Sequence, residues 1–217
     1  MTDTSGPRDR RDFLRQCVGL ASSAGVAGLL LAAHARQAQA LPPVAIRPPG
    51  ALDEEVFSAA CVRCGLCVRA CPFDILHLAT PDRGVTVGTP YFVARQGACE
   101  MCEDIPCVVA CPTGALDHDL RDIAQARMGV AVLTGRDTCY AVAQQTGCRA
   151  CYLACPVKGR AITMERHQAN GRGYFEPTVH TDACTGCGKC EQACVTEKAS
   201  IKVLPLALAR RDPPAAA

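Results

Sequence analysis

Apolar positions in this chain of 217 residues come in short runs, not in long helical stripes. Six runs read as small strands: Ile75–Leu78, Tyr91–Ala94, Val130–Leu133, Ile162–Glu165, Thr178–Thr181 and Ile201–Leu204. Amphipathic helical spacing is confined to Asp117–Ala126. Between the runs one unit recurs: a cysteine loop, a short helical stretch, a last cysteine, then a small strand. The longest apolar stretch, Val18–Ala33, holds about 16 mostly small residues, short of the roughly 20 that span a bilayer. Residues 41–57, opening on the proline-rich Leu41–Gly50, read as an extended linker. The pattern therefore predicts an N-terminal segment 1–40, that linker, a loop-rich α+β domain over 58–205 and a tail 206–217.

The cysteines decide what the loops are for. Sixteen of the 17 fall into four sets: Cys61, Cys64, Cys67, Cys71; Cys99, Cys102, Cys107, Cys111; Cys139, Cys148, Cys151, Cys155; and Cys184, Cys187, Cys190, Cys194. Each set ends in Cys-x3-Cys, and Pro72, Pro112 and Pro156 follow three of the four final cysteines. Three closely spaced thiolates with a fourth that reaches a neighbouring cube is the run by which bacterial ferredoxins hold [4Fe-4S] clusters. Two residues between ligands let a tight loop wrap one face of a cube, and Gly65, Gly186 and Gly188 permit the positive φ angles this needs. Proline after the last cysteine turns the chain away and sends that thiolate to the other cube; Val195 replaces it in the fourth set. Longer spacers, Cys102 to Cys107 and Cys139 to Cys148, enlarge the second and third loops. The expected cofactors are four [4Fe-4S] clusters, with these sixteen cysteines as their ligands. The expected fold is two ferredoxin-like 2[4Fe-4S] modules in one compact α+β domain. Spacing leaves open which sets share a module: neighbours can pair, or the second and third can nest between the first and fourth.

Two rivals use the same residue type. Structural zinc sites pair two Cys-x2-Cys knuckles across a spacer and do not repeat a three-plus-one run. A disulfide framework suits a cysteine-dense exported chain, yet the export route argues against it. Arg10-Arg11 precede Asp12-Phe13-Leu14-Arg15, the Val18–Ala33 stretch follows, and Ala38-Gln39-Ala40 offers a small-x-small cleavage site. This resembles a twin-arginine signal, with Asp9 where Ser or Thr is usual. That route carries folded proteins, so clusters can be built before the thiolates meet an oxidising periplasm. Cys17, inside this segment, reads as a spare thiol.

Charge and the remaining side chains narrow the function. The chain holds 23 basic and 21 acidic residues; the first 40 carry five Arg and three Asp, leaving 18 of each sign beyond them. Oxidised cubanes with four thiolates bring about −2 each. No basic footprint for nucleic acid is present. His77, His118, His167 and His180 read as surface or packed residues, because the thiol count is already complete. Glu100, Glu103 and Asp104 form an acidic rim on the second set, and Lys189 and Arg63 are cations beside clusters. No catalytic dyad or phosphate loop is visible, and Gly186-x-Gly188 lies between ligands. The chain reads as an electron carrier without its own substrate site.

Several stretches carry a resemblance beyond the cysteines. Arg47-Pro48-Pro49-Gly50-Ala51, Gly88-Thr89-Pro90-Tyr91-Phe92-Val93-Ala94-Arg95, Cys99 through Cys107, Ala126-Arg127-Met128-Gly129, Pro177-Thr178-Val179-His180, Asp182 through Glu191 and Ile201 through Leu206 resemble the MauM/NapG family of ferredoxin-type proteins. That resemblance implies a periplasmic protein working with a NapH-like membrane iron-sulfur quinol dehydrogenase protein. It implies delivery of electrons toward a periplasmic nitrate reductase, through a NapC-type cytochrome where one is present. A MauM-like role in methylamine utilisation, or a subunit of a molybdoenzyme, is the alternative. By analogy with four-cluster molybdoenzyme subunits it also favours nesting, with Cys194 joining Cys61, Cys64 and Cys67, Cys71 joining the fourth set, and Cys111 and Cys155 exchanged between the inner two.

Overall fold

Turn residues and cysteines interrupt the chain so often that no element among the described residues exceeds eight residues. The computed structural model describes residues 25–26, 28–29, 45–143, 146–169 and 171–209. The chain divides into 1–42 and 43–217. In the first unit Gly25, Val26, Gly28 and Leu29 are helical and exposed. The rest of the expected export signal, the linker up to residue 44 and the tail from 210 lie outside the described residues. The second unit carries all sixteen cysteines of the four sets.

Helices α1 (Glu54–Ala60) and α2 (Leu66–Ala70) lead to strands β1 (His77–Leu78) and β2 (Pro90–Tyr91). Helix α3 (Pro106–Val109) and β3 (Val130–Leu133) follow, then α4 (Ala150–Ala154), β4 (Ile162–Ala169), β5 (Arg172–Val179), α5 (Lys189–Gln192), β6 (Ile201–Leu204) and α6 (Leu206–Ala209). Three antiparallel two-stranded sheets result. His77 faces Tyr91 in β1–β2, Val130 faces Leu204 in β3–β6, and Ile162 faces Val179 in the β4–β5 hairpin. Helix α2 packs on α3 and α4 on α5, so each half contains one pair of short helices. Phe57, Phe92, Leu116, Ile162 and Ile201 are fully buried, and six thiols share the core with them.

Expected strands 130–133 and 201–204 have the predicted bounds, while others moved. The runs 162–165 and 178–181 belong to one longer hairpin, whose turn carries Gly171 at φ +75°; Asn170-Gly171 is the sequence signal for it. The expected helix over 117–126 is replaced by a 3₁₀ turn at Ile123–Gln125. Asp117 Oδ1 accepts from the Asp119 N–H and Asp122 Oδ1 from the Ala124 N–H, both at 2.9 Å, and these local bonds compete with a helix. The linker expectation fails from residue 45 onward. Ile46 bridges to Phe92, and Arg47 is buried, with Nε donating to Glu54 Oε2 at 2.9 Å and Nη1 to Thr89 Oγ1 at 2.9 Å. Its guanidinium lies 4.8 Å over the Phe57 ring. Proline made this segment extended; the buried ion pair ties it to the core.

Candidate iron–sulfur centres

Three of the four cysteine loops, those of the first, second and fourth sets, are built around left-handed backbone. Gly65 (φ +71°), Gly186 (+73°) and Gly188 (+89°) take it without strain, while Arg63 (+58°), Met101 (+60°) and Ile105 (+42°) take it although they carry a Cβ. A β-branched residue there is a costly outlier that surroundings must enforce. These turns let helices begin at once: Gly65 precedes α2, Ile105 precedes α3 and Gly188 precedes α5, so Cys67, Cys107 and Cys190 lie in first turns. N–H groups then face sulfur, as those of Val68, Val108 and Tyr152 do for Cys67, Cys107 and Cys151.

The thiols gather around hollows. Cys61, Cys64, Cys67 and Cys111 line one; Cys99, Cys102, Cys107 and Cys71 line a second; Cys139, Cys148, Cys151 and Cys194 line a third. In the fourth group Cys155 is near enough to Cys184 and Cys187 for their charges to raise it, after burial, the main cause. The last cysteine of each set thus crosses to its neighbour, first with second and third with fourth. Nesting is overturned: Cys111, not Cys194, joins Cys61, Cys64 and Cys67. The reason is local, since α2 packs on α3 and α4 on α5, and each helix ends where the crossing thiol begins.

Electrostatics divide the thiols. Burial pushes Cys67 up to about 11, the Val68 N–H opposes it, and the charges of Cys61, Cys111 and Cys64 add to the rise. Burial likewise lifts Cys99 and Cys151 to about 11 and Cys107 to about 12. Cys190 rises further, through burial and then the charges of Cys187, Cys184, Cys151 and Cys155. Cys111 and Cys194 go the other way. Burial raises each, but N–H groups of Leu116, Thr113 and Ala115 and the Thr113 hydroxyl outweigh it at Cys111. At Cys194 the Thr196 hydroxyl and the N–H groups of Thr196, Ser200 and Ile201 do so. Rings of thiols with inward N–H groups fit an anionic multi-iron body, which binds thiolate and lowers the cost of charging buried sulfur.

Lys189, Glu100 and the four histidines have structural partners. Lys189 pairs with Glu100, so cation and acidic rim meet between the second and fourth sets. His77 lies 6.0 Å from the Tyr91 ring, His118 Nε2 is 2.8 Å from Cys111 O, His167 stacks on Tyr174 and His180 Nε2 is 2.8 Å from Thr163 Oγ1. The threonines two residues after Cys111 and Cys194 were missed by the sequence reading, although Cys-x-Thr recurs there. Also missed was Gly129, where an added Cβ would stand 2.6 Å from Leu204 O.

Comparison with known proteins agrees with this division. A model of the 4Fe-4S dicluster domain matches residues 60–115 and again 146–198. The first match holds the first two sets, and the second holds the last two apart from Cys139. The ferredoxin-type protein NapG of Escherichia coli is 50% identical over 216 residues, covering 98% of this chain and 93% of its own. The chain belongs to the NapG/MauM family of ferredoxin-type proteins. The methylamine utilization ferredoxin-type protein MauM of Methylorubrum extorquens is 51% identical over 196 residues, covering 90% of this chain and 89% of its own. NapG of Haemophilus influenzae is 50% identical over 206 residues, covering 93% and 74%. No solved structure matches the chain. Like its NapG/MauM relatives, it is an iron–sulfur electron-transfer protein.

Proposed function

We propose that the chain is a periplasmic wire of four [4Fe-4S] clusters, held by the sixteen cysteines in the crossed sets above, with electrons passing in the order first, second, fourth, third. The observation that carries the order is the Cys99 N–H donating to Cys187 O at 2.8 Å, which joins a ligand of the second set to one of the fourth. Exposure follows the same order. The second and fourth sets hold five of the six buried thiols, Cys99, Cys107, Cys184, Cys187 and Cys190; the first set has one buried thiol, Cys67, and one exposed, Cys64, and every thiol of the third set is partly open. The first and third groups are therefore the two ports. The bound clusters would supply one-electron chemistry; the chain's own residues hold them, direct N–H groups to sulfur and exclude water from the inner pair.

Donor and acceptor come from the family reading. Electrons enter from quinol through a NapH-like membrane partner and leave toward a periplasmic nitrate reductase, directly or through a NapC-type cytochrome. The Arg10-Arg11 segment delivers the folded chain by the twin-arginine machinery. Among the described residues no helix is long and apolar enough to cross a membrane. A lipid-soluble donor must then be met by a partner. The MauM relatives favour a second reading, in which the same wire serves methylamine oxidation, because MauM of Methylorubrum extorquens is 51% identical and NapG of Escherichia coli 50%.

The test mixes anaerobic holoprotein, reduced quinol and vesicles with or without the NapH-like partner and follows cluster bleaching. Reduction only with the partner is expected. Rapid reduction in partner-free vesicles would overturn the relay, and reduction by methylamine-derived electrons alone would select the second reading.

A further inference from the structure

Arg95 belongs to the first half, yet its guanidinium is spent on the second. Nη1 donates to Glu191 O at 2.8 Å, Gln192 O at 3.1 Å and Cys194 O at 2.8 Å; Nη2 donates to Thr196 O at 2.9 Å and Glu197 O at 3.4 Å. Among the described residues it pairs with no carboxylate, so its charge stays uncancelled in a half-buried position. The five carbonyls belong to the end of α5 and to the loop that wraps Cys194. The same loop turns the Ser200 N–H toward Cys194 Sγ at 3.4 Å. The counterpart in the first half is built differently. There the Cys111 carbonyl meets the His118 imidazole, and the loop after it is held by backbone: the Leu52 N–H donates to Ala115 O at 3.3 Å and the Asp117 N–H to Gly50 O at 2.7 Å.

We propose that Arg95 is a positioning residue that raises the reduction potential of the cluster held by Cys139, Cys148, Cys151 and Cys194 above that of the cluster at the opposite port. This rests on the four-cluster reading above. Reduction adds one negative charge to a cluster, and a fixed cation one residue's carbonyl away from a ligand stabilises the reduced form. Guanidinium does not lose its proton at any working pH, and its planar fork fixes several carbonyls at once. Electrons entering at the first set then run toward the third, and Arg95 gives the wire its direction.

Redox titration of the anaerobic holoprotein, after iron and sulfide are counted, tests this. In Arg95→Gln the step that Cys194→Ser also moves should fall most, with a smaller fall at the cluster of Cys184, Cys187 and Cys190, because α5 supplies two of the carbonyls that Arg95 holds. The other two steps should stay in place. Arg95→Lys, which keeps the charge, should return the shifted steps most of the way. Four unmoved steps in a fully loaded Arg95→Gln protein would overturn the proposal, as would movement of the step that Cys111→Ser shifts. If Arg95→Gln fails to hold the cluster, Arg95→Lys decides: a near-native step supports the charge role, and loss of the same cluster overturns it. A wild-type protein without four clusters would instead sink the underlying reading and leave the latch geometry intact.

Discussion

In residues 60–115 the crossing thiol Cys111 is fastened by the backbone of residues 50–52 and 115–117, and that N-terminal segment is pinned by the buried pair of Arg47 and Glu54. In residues 146–198 the crossing thiol Cys194 is fastened by a cation from the other half. The two halves repeat the same cysteine arithmetic and the same helix pair, yet differ in what holds the crossing loop. Repetition accounts for two like cluster modules; under the proposed wiring the unlike fastenings are what would make their ends unlike. They also differ in crowding. The loop glycine of the first set looks onto a single side-chain atom, whereas the loop glycines of the fourth press against backbone of residues outside their own half.

The comparison breaks most visibly at the crossing thiols. With neighbours paired, Cys194→Ala should remove the third group's cluster, so iron falls from about sixteen to about twelve per chain. Cys139, Cys148 and Cys151 should become open to alkylation while Cys61, Cys64 and Cys67 stay protected. Cys111→Ala should give the reverse. Mass spectrometry of alkylated peptides reads both, and exposure of Cys61, Cys64 and Cys67 in Cys194→Ala would restore the nested arrangement.

A second test compares the same loop position in two sets. Gly65 and Gly188 each precede α-helical turns at positive φ, so alanine costs each about 1–2 kcal/mol in backbone strain. Only at Gly188 does an added Cβ collide, 2.6 Å from Ala94 Cβ and 3.1 Å from Ala94 Cα; at Gly65 the nearest atom is Leu78 Cδ1 at 3.6 Å. Gly188→Ala should therefore cost about 3 kcal/mol or more in total, and Gly65→Ala no more than its strain. Thermal unfolding of the holoproteins measures the gap, and equal costs would deny that the inner set is the crowded one.

How much of this was legible beforehand depends on the range of the interaction. The three-plus-one spacing is local, so the ligand candidates and Gly65, Gly186 and Gly188 could be read directly, and two strands of like pattern, 130–133 and 201–204, had the right bounds. The pairing of sets could not, because it depends on α2 meeting α3 and α4 meeting α5. Resemblance to larger four-cluster subunits pointed to the wrong one. Residues 45–57 misled for a related reason: proline predicts extension, but whether an extended segment packs depends on Arg47 finding Glu54 and Thr89. Arg95 closes one of the resembling stretches, but its role gave no signal, since its partners are carbonyls about a hundred residues away, and carbonyls have no sequence signature.

The fastening of the first half can be weakened on its own. Glu54→Ala leaves Arg47 buried with Thr89 Oγ1 and Pro90 O as remaining acceptors, at 2.9 and 2.8 Å. An unneutralised buried cation is costly, and these two acceptors with the Phe57 ring offset part of the loss, so about 2 kcal/mol is expected. The second half should keep its iron under mild denaturant while the first loses it. Simultaneous loss from both would mean that the halves share one fastening after all.

The smallest effect should separate Thr113 from Thr196. Both stand two residues after a crossing thiol, but Thr196 Oγ1 lies 3.1 Å from Cys194 Sγ and Thr113 Oγ1 lies 3.9 Å from Cys111 Sγ. A thiolate can only accept, so in the loaded protein the hydroxyl must donate. The Thr196 hydroxyl has one proton and a competing acceptor, Lys198 O, at 2.9 Å. Its contribution is then a fraction of a full charge-assisted bond, about 1 kcal/mol. Thr196→Val should lower the potential of the third group's cluster slightly and quicken its loss of iron to a chelator; Thr113→Val should change the first group's cluster less. Valine keeps the volume and removes the proton donor, so packing is a minor term. A larger shift from Thr113→Val would mean that the cradle around Cys111 depends on the side chain, and that its backbone fastening is the weaker of the two.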